Sequence, residues 1–422
     1  MNIAPYPTYQ PSGVEWLGNI PKDWSVKRLK WSVDGCFNGV WGDEPDGIDD
    51  VVCLRVADFN RDNYTISTEA LTLRAIEAKQ LESRKLKRGD LLIEKSGGGE
   101  KQLVGCVVYF DHEFDAVCSN FVARMPVAEG HLPRYWAYVH AGLYAGKLNY
   151  PAIKQTTGIQ NLDAALYLDT LAAYPPLAEQ QQIAAFLDWK TSQIDALIAK
   201  KQALLQKLKE KRLAVITQAV TKGLNPDAPM RDSGIAWLGK VPAHWGVKRL
   251  KFVAHVGNGS TPNREDSAYW DGGTYPWLNS SVVNQEQVTN ADQFVTPLAL
   301  SECHLPRISP PAVLVGITGQ GKTRGMATTL LFEATINQHL AYVKPDEAKA
   351  SVGFLRRVFD MAYAHLRIES ENGGSTKGAI TCEQIAELPI PVPPLDEQVV
   401  ISERIDMALA KLARMSDNAK SA

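Results

Sequence analysis

The sequence has no long apolar run: nowhere in its 422 residues do about 18 apolar side chains follow one another, which argues against a membrane-spanning helix. Its first residues, Met1-Asn-Ile-Ala-Pro-Tyr-Pro7, lack the basic start and apolar stretch of a secretory signal, so a cytoplasmic protein is expected. Cysteine is sparse. The six (Cys36, Cys53, Cys106, Cys118, Cys303, Cys382) form no C-x-x-C pair, which argues against both a disulfide framework and a structural zinc site. Cys303-His304 lacks the second pair of ligands such a site needs, and no metal is expected. Charge of one sign is missing as well, with 45 Lys and Arg against 47 Asp and Glu. No global positive field announces a nucleic-acid binder. What is there is ordinary globular material, 45% hydrophobic and 22% charged, in a chain long enough for two cores.

The chain is written twice. Ser12-Gly-Val-Glu-Trp-Leu-Gly-Asn-Ile-Pro-Lys-Asp-Trp-Ser-Val-Lys-Arg-Leu-Lys-Trp31 returns as Ser233-Gly-Ile-Ala-Trp-Leu-Gly-Lys-Val-Pro-Ala-His-Trp-Gly-Val-Lys-Arg-Leu-Lys-Phe252, identical at twelve of twenty positions. Each half closes on a second match, Pro175-Pro-Leu-Ala-Glu-Gln180 and Pro393-Pro-Leu-Asp-Glu-Gln398. Between these anchors similarity is thin, although Leu91-Leu-Ile93 before Gly97-Gly-Gly99 mirrors Val313-Leu-Val315 before Gly319-Gln-Gly321. The middles have diverged inside a retained frame.

Each middle reads as short β-rich runs broken by Gly, Pro, Asn and Asp. After Pro176 the period changes. Ile183, Leu187, Ile194, Leu197, Leu204, Leu208, Val215 and Ala219 recur at helical steps with no Pro or Gly from 178 to 220, which predicts one amphipathic helix of roughly 65 Å. That stretch also concentrates positive charge, eight Lys and Arg against four acids over 178–222. Gly223-Leu-Asn-Pro226 stops it. A second copy starts at Leu395 and is expected to end near Met415 to Asp417, some twenty residues shorter. Packed antiparallel, the two helices would act as a spacer.

In order and in duplicate, these motifs, with Lys190-Thr-Ser-Gln-Ile-Asp195, Lys209-Glu-Lys-Arg212 and Thr217-Gln-Ala-Val-Thr-Lys-Gly-Leu224, resemble the DNA specificity subunits of type I restriction-modification systems over nearly the whole chain. The resemblance implies an α+β fold of two tandem target-recognition domains, 1–176 and 225–392, separated by long helices packing as an antiparallel coiled coil, 177–224 and the short 393–422. It implies double-stranded DNA as ligand, two methylation subunits and restriction subunits as partners, and S-adenosylmethionine, ATP and Mg²⁺ carried by those partners, with no cofactor in this chain. Because the copies differ, the expected target is asymmetric and interrupted.

Gly316-Ile-Thr-Gly-Gln-Gly-Lys322-Thr323 satisfies the P-loop pattern, making a nucleotide-binding enzyme the competing reading. A P-loop opens into a helix, however, whereas here Arg324-Gly325 and the strand-like Thr328-Thr-Leu-Leu-Phe332 follow. The aligned first-module loop is also glycine-rich and basic, so a shared DNA-facing hairpin is the better reading. From these loops the candidates are Lys95, Ser96, Lys101 and Gln102 in the first module and Thr318, Gln320, Lys322 and Arg324 in the second. Cations suit phosphate or guanine, and glutamine suits adenine. Lys154, Thr156 and Thr157, and Thr376 and Lys377, come from two small Thr/Gly segments near the end of each module. A plain surface turn is the competing reading for every one of them. Asn38-Gly-Val-Trp41 and Gly257-Asn-Gly-Ser-Thr-Pro262 are further loop candidates, and Arg55 and Asn279 fall close together in a rough alignment.

Trp16, Trp24, Trp237 and Trp245 belong to the repeated frame, so packing is their expected role, and the acidic loop around Asp43, Glu44 and Asp46 is expected to be solvated. Tyr174-Pro-Pro-Leu177 and Val392-Pro-Pro-Leu395 only echo the Asp/Asn-Pro-Pro-Tyr/Phe motif of amino-methyltransferases, and no helicase series or nuclease carboxylate cluster occurs. A non-catalytic subunit is expected, with a coiled-coil scaffold as the remaining alternative.

Overall fold

A computed structural model describes residues 5–48, 50–98, 102–155, 158–319, 321–372 and 378–421. They form two compact units, 1–196 and 197–422. The boundary falls inside the long helix, whose residues are divided between the two.

The first module builds its sheets from β1 (Phe37–Asn38), β2 (Asp50–Leu54), β3 (Leu91–Glu94), β4 (Val107–Tyr109), β5 (Ala116–Cys118) and β6 (Val122–Met125). The second repeats them as β7 (Ala254–Asn258), β8 (Tyr275–Leu278), β9 (Ala312–Gly316), β10 (Ala327–Leu330), β11 (Thr335–Ile336) and β12 (Leu340–Pro345). The sheet order β4-β3-β6-β1 becomes β10-β9-β12-β7, and the parallel pair β2/β5 becomes β8/β11. Register explains the apolar runs seen in sequence. Leu91 and Ile93 point into one core with Trp136, while Leu92 points into another with Val108 and Val122, so β3 is buried on both faces. In β9, Val313 and Val315 face one core and Ala312 and Leu314 the other.

Helix α1 (Pro133–Ala145) backs the first sheet, α2 (Leu177–Lys222) is the long helix, α3 (Val352–Asn372) is the counterpart of α1, and α4 (Leu395–Ser421) that of α2. The repeated frame motifs have local causes. In Ser-Gly-x-x-Trp-Leu-Gly, the serine hydroxyl accepts from the amide two residues on, at 3.0 Å for Ser12 and 3.1 Å for Ser233. The glycine between sits at φ +75° and +74°, where a side chain would be strained. The Trp24 indole donates to Glu179 at 2.6 Å and the Trp245 indole to Glu397 at 3.0 Å, which ties each frame to the start of its helix. Gln180 accepts from the Leu132 amide at 3.0 Å and Gln398 from the Ser351 amide at 2.9 Å. Pro-Pro-Leu-x-Glu-Gln is thus a clasp between the frame, a long helix and the helix behind the sheet.

α2 has 46 residues and spans about 69 Å. In the second unit α4 runs antiparallel to its C-terminal part: Glu397 lies beside Gly223, while Leu412, Ser416 and Lys420 face Leu205, Leu208 and Arg212. Ile216 and Val220 share a core with Ile401, Ile405 and Leu409. α4 continues to Ser421, past the expected end near Met415, because 416–421 is polar but free of proline and glycine. Along α2, Trp189, Ile194, Leu197, Ile198 and Leu204 stay exposed.

Candidate functional site

At one end of the first module four loops meet. Gly39, after β1, donates to Val122 O at 3.1 Å, and Ser119, after β5, donates to Leu54 O at 2.9 Å, beside Arg55. Lys95, after β3, donates its amide to Phe121 O at 2.8 Å, and its ammonium reaches the Asn38 side chain. The side chains at the tips are Asn38, Trp41, Arg55, Lys95, Asn120 and Phe121. Arg55 is braced by Asp58 at 3.0 Å.

The second module repeats this backbone with other side chains. Asn337 donates to Leu278 O at 3.0 Å, beside Asn279, and Ile317 donates to His339 O at 3.0 Å. A Cβ on Gly39 would strike the Cys118 and Ser119 carbonyls, and one on Gly259 the Ile336 carbonyl, so both close approaches require glycine. Arg55 and Asn279 do coincide: each ends the same strand and opens a 3-10 turn. The Asn279 side chain accepts from the Ser281 amide at 2.9 Å. The Thr261 hydroxyl donates to Gln338 at 2.6 Å, and the Thr318 hydroxyl lies 2.7 Å from His339 Nδ1.

The two groups of candidates in each module are joined. Ser96–Gly97 pairs with Gln160–Leu162, which pairs with Ile153–Gln155, so Ser96, Asn161 and Lys154 lie in one row. The Lys154 ammonium is held by Asp163 at 2.8 Å. In the second module Ile380 donates to Ile317 O at 2.8 Å, as Leu162 does to Lys95 O at 2.8 Å. Lys322 is exposed while its carbonyl accepts from Tyr363 at 2.9 Å, which fixes the loop and leaves the ammonium outward. Lys101, Thr156, Thr157, Gln320, Thr376 and Lys377 lie outside the described residues.

One candidate needs correction. Arg324 is 4% exposed, and its guanidinium is spent on Glu371 at 2.7 Å and Gly378 O at 2.9 Å, so it closes the loop from inside and presents no charge to a ligand. Gln102 is exposed and, with its amide oxygen turned to Arg61 at 3.1 Å, keeps its amide nitrogen at the surface. Arg61 also pairs at 3.0 Å with Glu94, at the root of the glycine-rich loop. Burial pushes the Glu94 carboxyl above its usual range, and the opposing pull of Arg61 only partly offsets this.

After Lys322 the chain makes a turn and enters β10 directly, so the P-loop pattern has no helix N-terminus to hold phosphate. Among the described residues no group of three His, Cys, Asp or Glu is placed to hold a metal ion, and no helix is long and apolar enough to cross a membrane.

Ser119-Asn-Phe121 and Asn337-Gln-His339 were not singled out from the sequence. The one trace there is a triplet with a central amide side chain, Asn120 or Gln338, ahead of Val122-Ala123 and Leu340-Ala341, and it has meaning only once these strands are known to be equivalent.

Residues 242–416 match the family model of the type I restriction modification DNA specificity domain. Over 394 residues the chain is 23% identical to a protein described as the type I restriction enzyme MjaX specificity subunit of Methanocaldococcus jannaschii, covering 92% of this chain and 87% of that one. A chain solved for the complex assembly and conformational transition of the type I R-M system superposes with TM-score 0.69 at 16% identity, over 95% of this chain and 94% of that one. The crystal structure of the HsdS subunit from Thermoanaerobacter tengcongensis gives TM-score 0.55 at 16% identity, over 95% of this chain and 92% of that one. At such identity these two establish a shared fold.

Proposed function

We infer that this chain belongs to the DNA specificity subunits of type I restriction-modification systems and reads an asymmetric, interrupted DNA target, one half-site with each module. One observation carries this reading: the two modules hold the same four loops on the same backbone while the side chains at the tips differ, Arg55 against Asn279 and Asn120-Phe121 against Gln338-His339. A frame that is kept around tips that change is what two readers of unlike half-sites require, because phosphate contacts position a protein while base edges specify it.

The chain directs chemistry performed elsewhere. Two methylation subunits dock along the long helices, where Ile194, Leu197 and Ile198 are exposed. Restriction subunits join them, and S-adenosylmethionine, ATP and Mg²⁺ are bound by these partners. Lys95, Ser96, Lys154, Thr318 and Lys322, with Lys101, Thr156, Thr157, Gln320, Thr376 and Lys377, serve as contacts to DNA.

The test is methylome sequencing of cells carrying this chain with its methylation subunits. A methylated motif of two unlike halves around a fixed gap is expected. Methylation of a contiguous or palindromic site, or none that depends on this chain, would overturn the reading.

A further inference from the structure

The two sets of tips differ in chemistry as well as in sequence. In the first module they surround an open hollow of about 420 Å³ lined by Trp41, Arg55, Val56, Ser119, Asn120 and Phe121. Phe121 is 61% exposed, a large apolar surface that the chain's own fold leaves uncovered. Trp41 is held from one side by the Arg74 guanidinium, 4.7 Å from its ring centroid. Ser119 is 2% exposed, and its hydroxyl has no hydrogen-bond partner among the described residues. Arg55 lines the hollow, braced by Asp58 at 3.0 Å, and Lys95 donates its amide to Phe121 O at 2.8 Å, so two cationic residues neighbour this apolar surface. In the second module the corresponding tips are Asn279, Thr261, Gln338 and His339, all polar: Thr261 bonds Gln338, His339 lies against the Thr318 hydroxyl, and Asn279 accepts from the Ser281 amide.

Among the bases in the major groove, thymine presents an apolar group, its 5-methyl, while all present donors or acceptors. We propose that the first module reads its half-site through the methyl edge of a thymine set against Phe121 and Trp41, with Asn120 and Arg55 bonding the neighbouring base edges. The second module reads its half-site by hydrogen bonds from Gln338 and His339. The hollow exceeds a methyl group many times over, so it receives a base-pair edge and not an isolated methyl. This proposal rests on the chain being a DNA specificity subunit and names the chemistry each half uses.

The experiment uses the full chain assembled with its methylation subunits and a duplex carrying the motif obtained by methylome sequencing. Each thymine is replaced in turn by deoxyuridine, which removes only the 5-methyl group. One such replacement, in one half-site, is expected to weaken binding about fourfold, the worth of one buried methyl. Phe121→Ala should abolish that difference and relax the methylated motif in the same half-site, whereas Gln338→Ala should relax the other half and keep the thymine effect. Phe121 is mostly exposed, so its replacement leaves the fold intact, and Asn120→Ala gives a second variant on the same loop.

The proposal fails if every deoxyuridine duplex binds like the parent. It also fails if Phe121→Ala keeps the full methyl discrimination, or if the sensitive thymine lies in the half that Gln338→Ala relaxes. Those outcomes leave a bipartite motif standing. Failure of the specificity reading itself would appear earlier, as the absence of any such motif from the wild-type complex, and would sink both.

Discussion

His140 is fully buried on α1, with Nδ1 2.6 Å from the Tyr167 hydroxyl. Burial pushes its pKa down from 6.5 to about 4, so the unfolded chain takes up the proton first. Stability from this site is therefore complete above pH 6.5 and is lost as pH falls towards about 4. The equivalent pair in the second module is Phe359 and Ile385, both apolar and buried. His140→Phe alone strands the Tyr167 hydroxyl and should cost about 1–3 kcal/mol in urea unfolding. The double variant His140→Phe, Tyr167→Ile should recover most of that and lose this part of the acid sensitivity of the melting temperature. At the helix clasps, Gln398→Ala removes the partner of the Ser351 amide, and a loss of about 1–3 kcal/mol in unfolding free energy is expected, read as a lower urea midpoint of the full chain.

Among elements, α3 and α4 are joined by ions. Arg357 on α3 bonds Asp406 on α4 at 2.6 Å and Glu286 at 2.7 Å, and Glu286 also meets Arg212 of α2 at 3.3 Å. Burial opposes the Glu286 charge, but Arg357, Arg356 and Arg212 outweigh it and hold the carboxyl below its ordinary value. This contribution is present above the ordinary glutamate range and lost as pH falls through the lowered value. Because Glu286 and Asp406 are half exposed, Arg357→Ala should cost about 2 kcal/mol, less than a fully buried pair, and thermal melts at high salt should narrow the gap to wild type. On α2, Leu197→Glu with Ile198→Glu should leave the melting temperature within a few degrees, since both side chains are exposed, while co-purification with the methylation subunits is lost. Retained co-purification would show that the partners dock elsewhere.

For the whole molecule, net charge of −2 limits what electrostatics can do. Counterion release supplies much of the affinity in protein–DNA binding, so the chain alone should bind its target weakly at physiological salt and the assembled complex tightly. Titrations of both from 50 to 200 mM salt test this, and tight, salt-resistant binding by the chain alone would contradict it.

Sequence by itself determined the duplication, the long helix and the P-loop's failure to be one, because repeats, a 3.6-residue period and a strand after Lys322 are local patterns in the chain. It also paired Arg55 with Asn279, since strand ends keep their place when frames are kept. It could not separate Arg324 from Lys322, because burial against Glu371 and Gly378 is set by residues about fifty positions away. Nor could it find Phe121 or His339, whose meaning depends on β6 and β12 lying beside β3 and β9. Only the tertiary structure brought four distant loops to one edge, since strand pairing places side chains by register and not by separation along the chain.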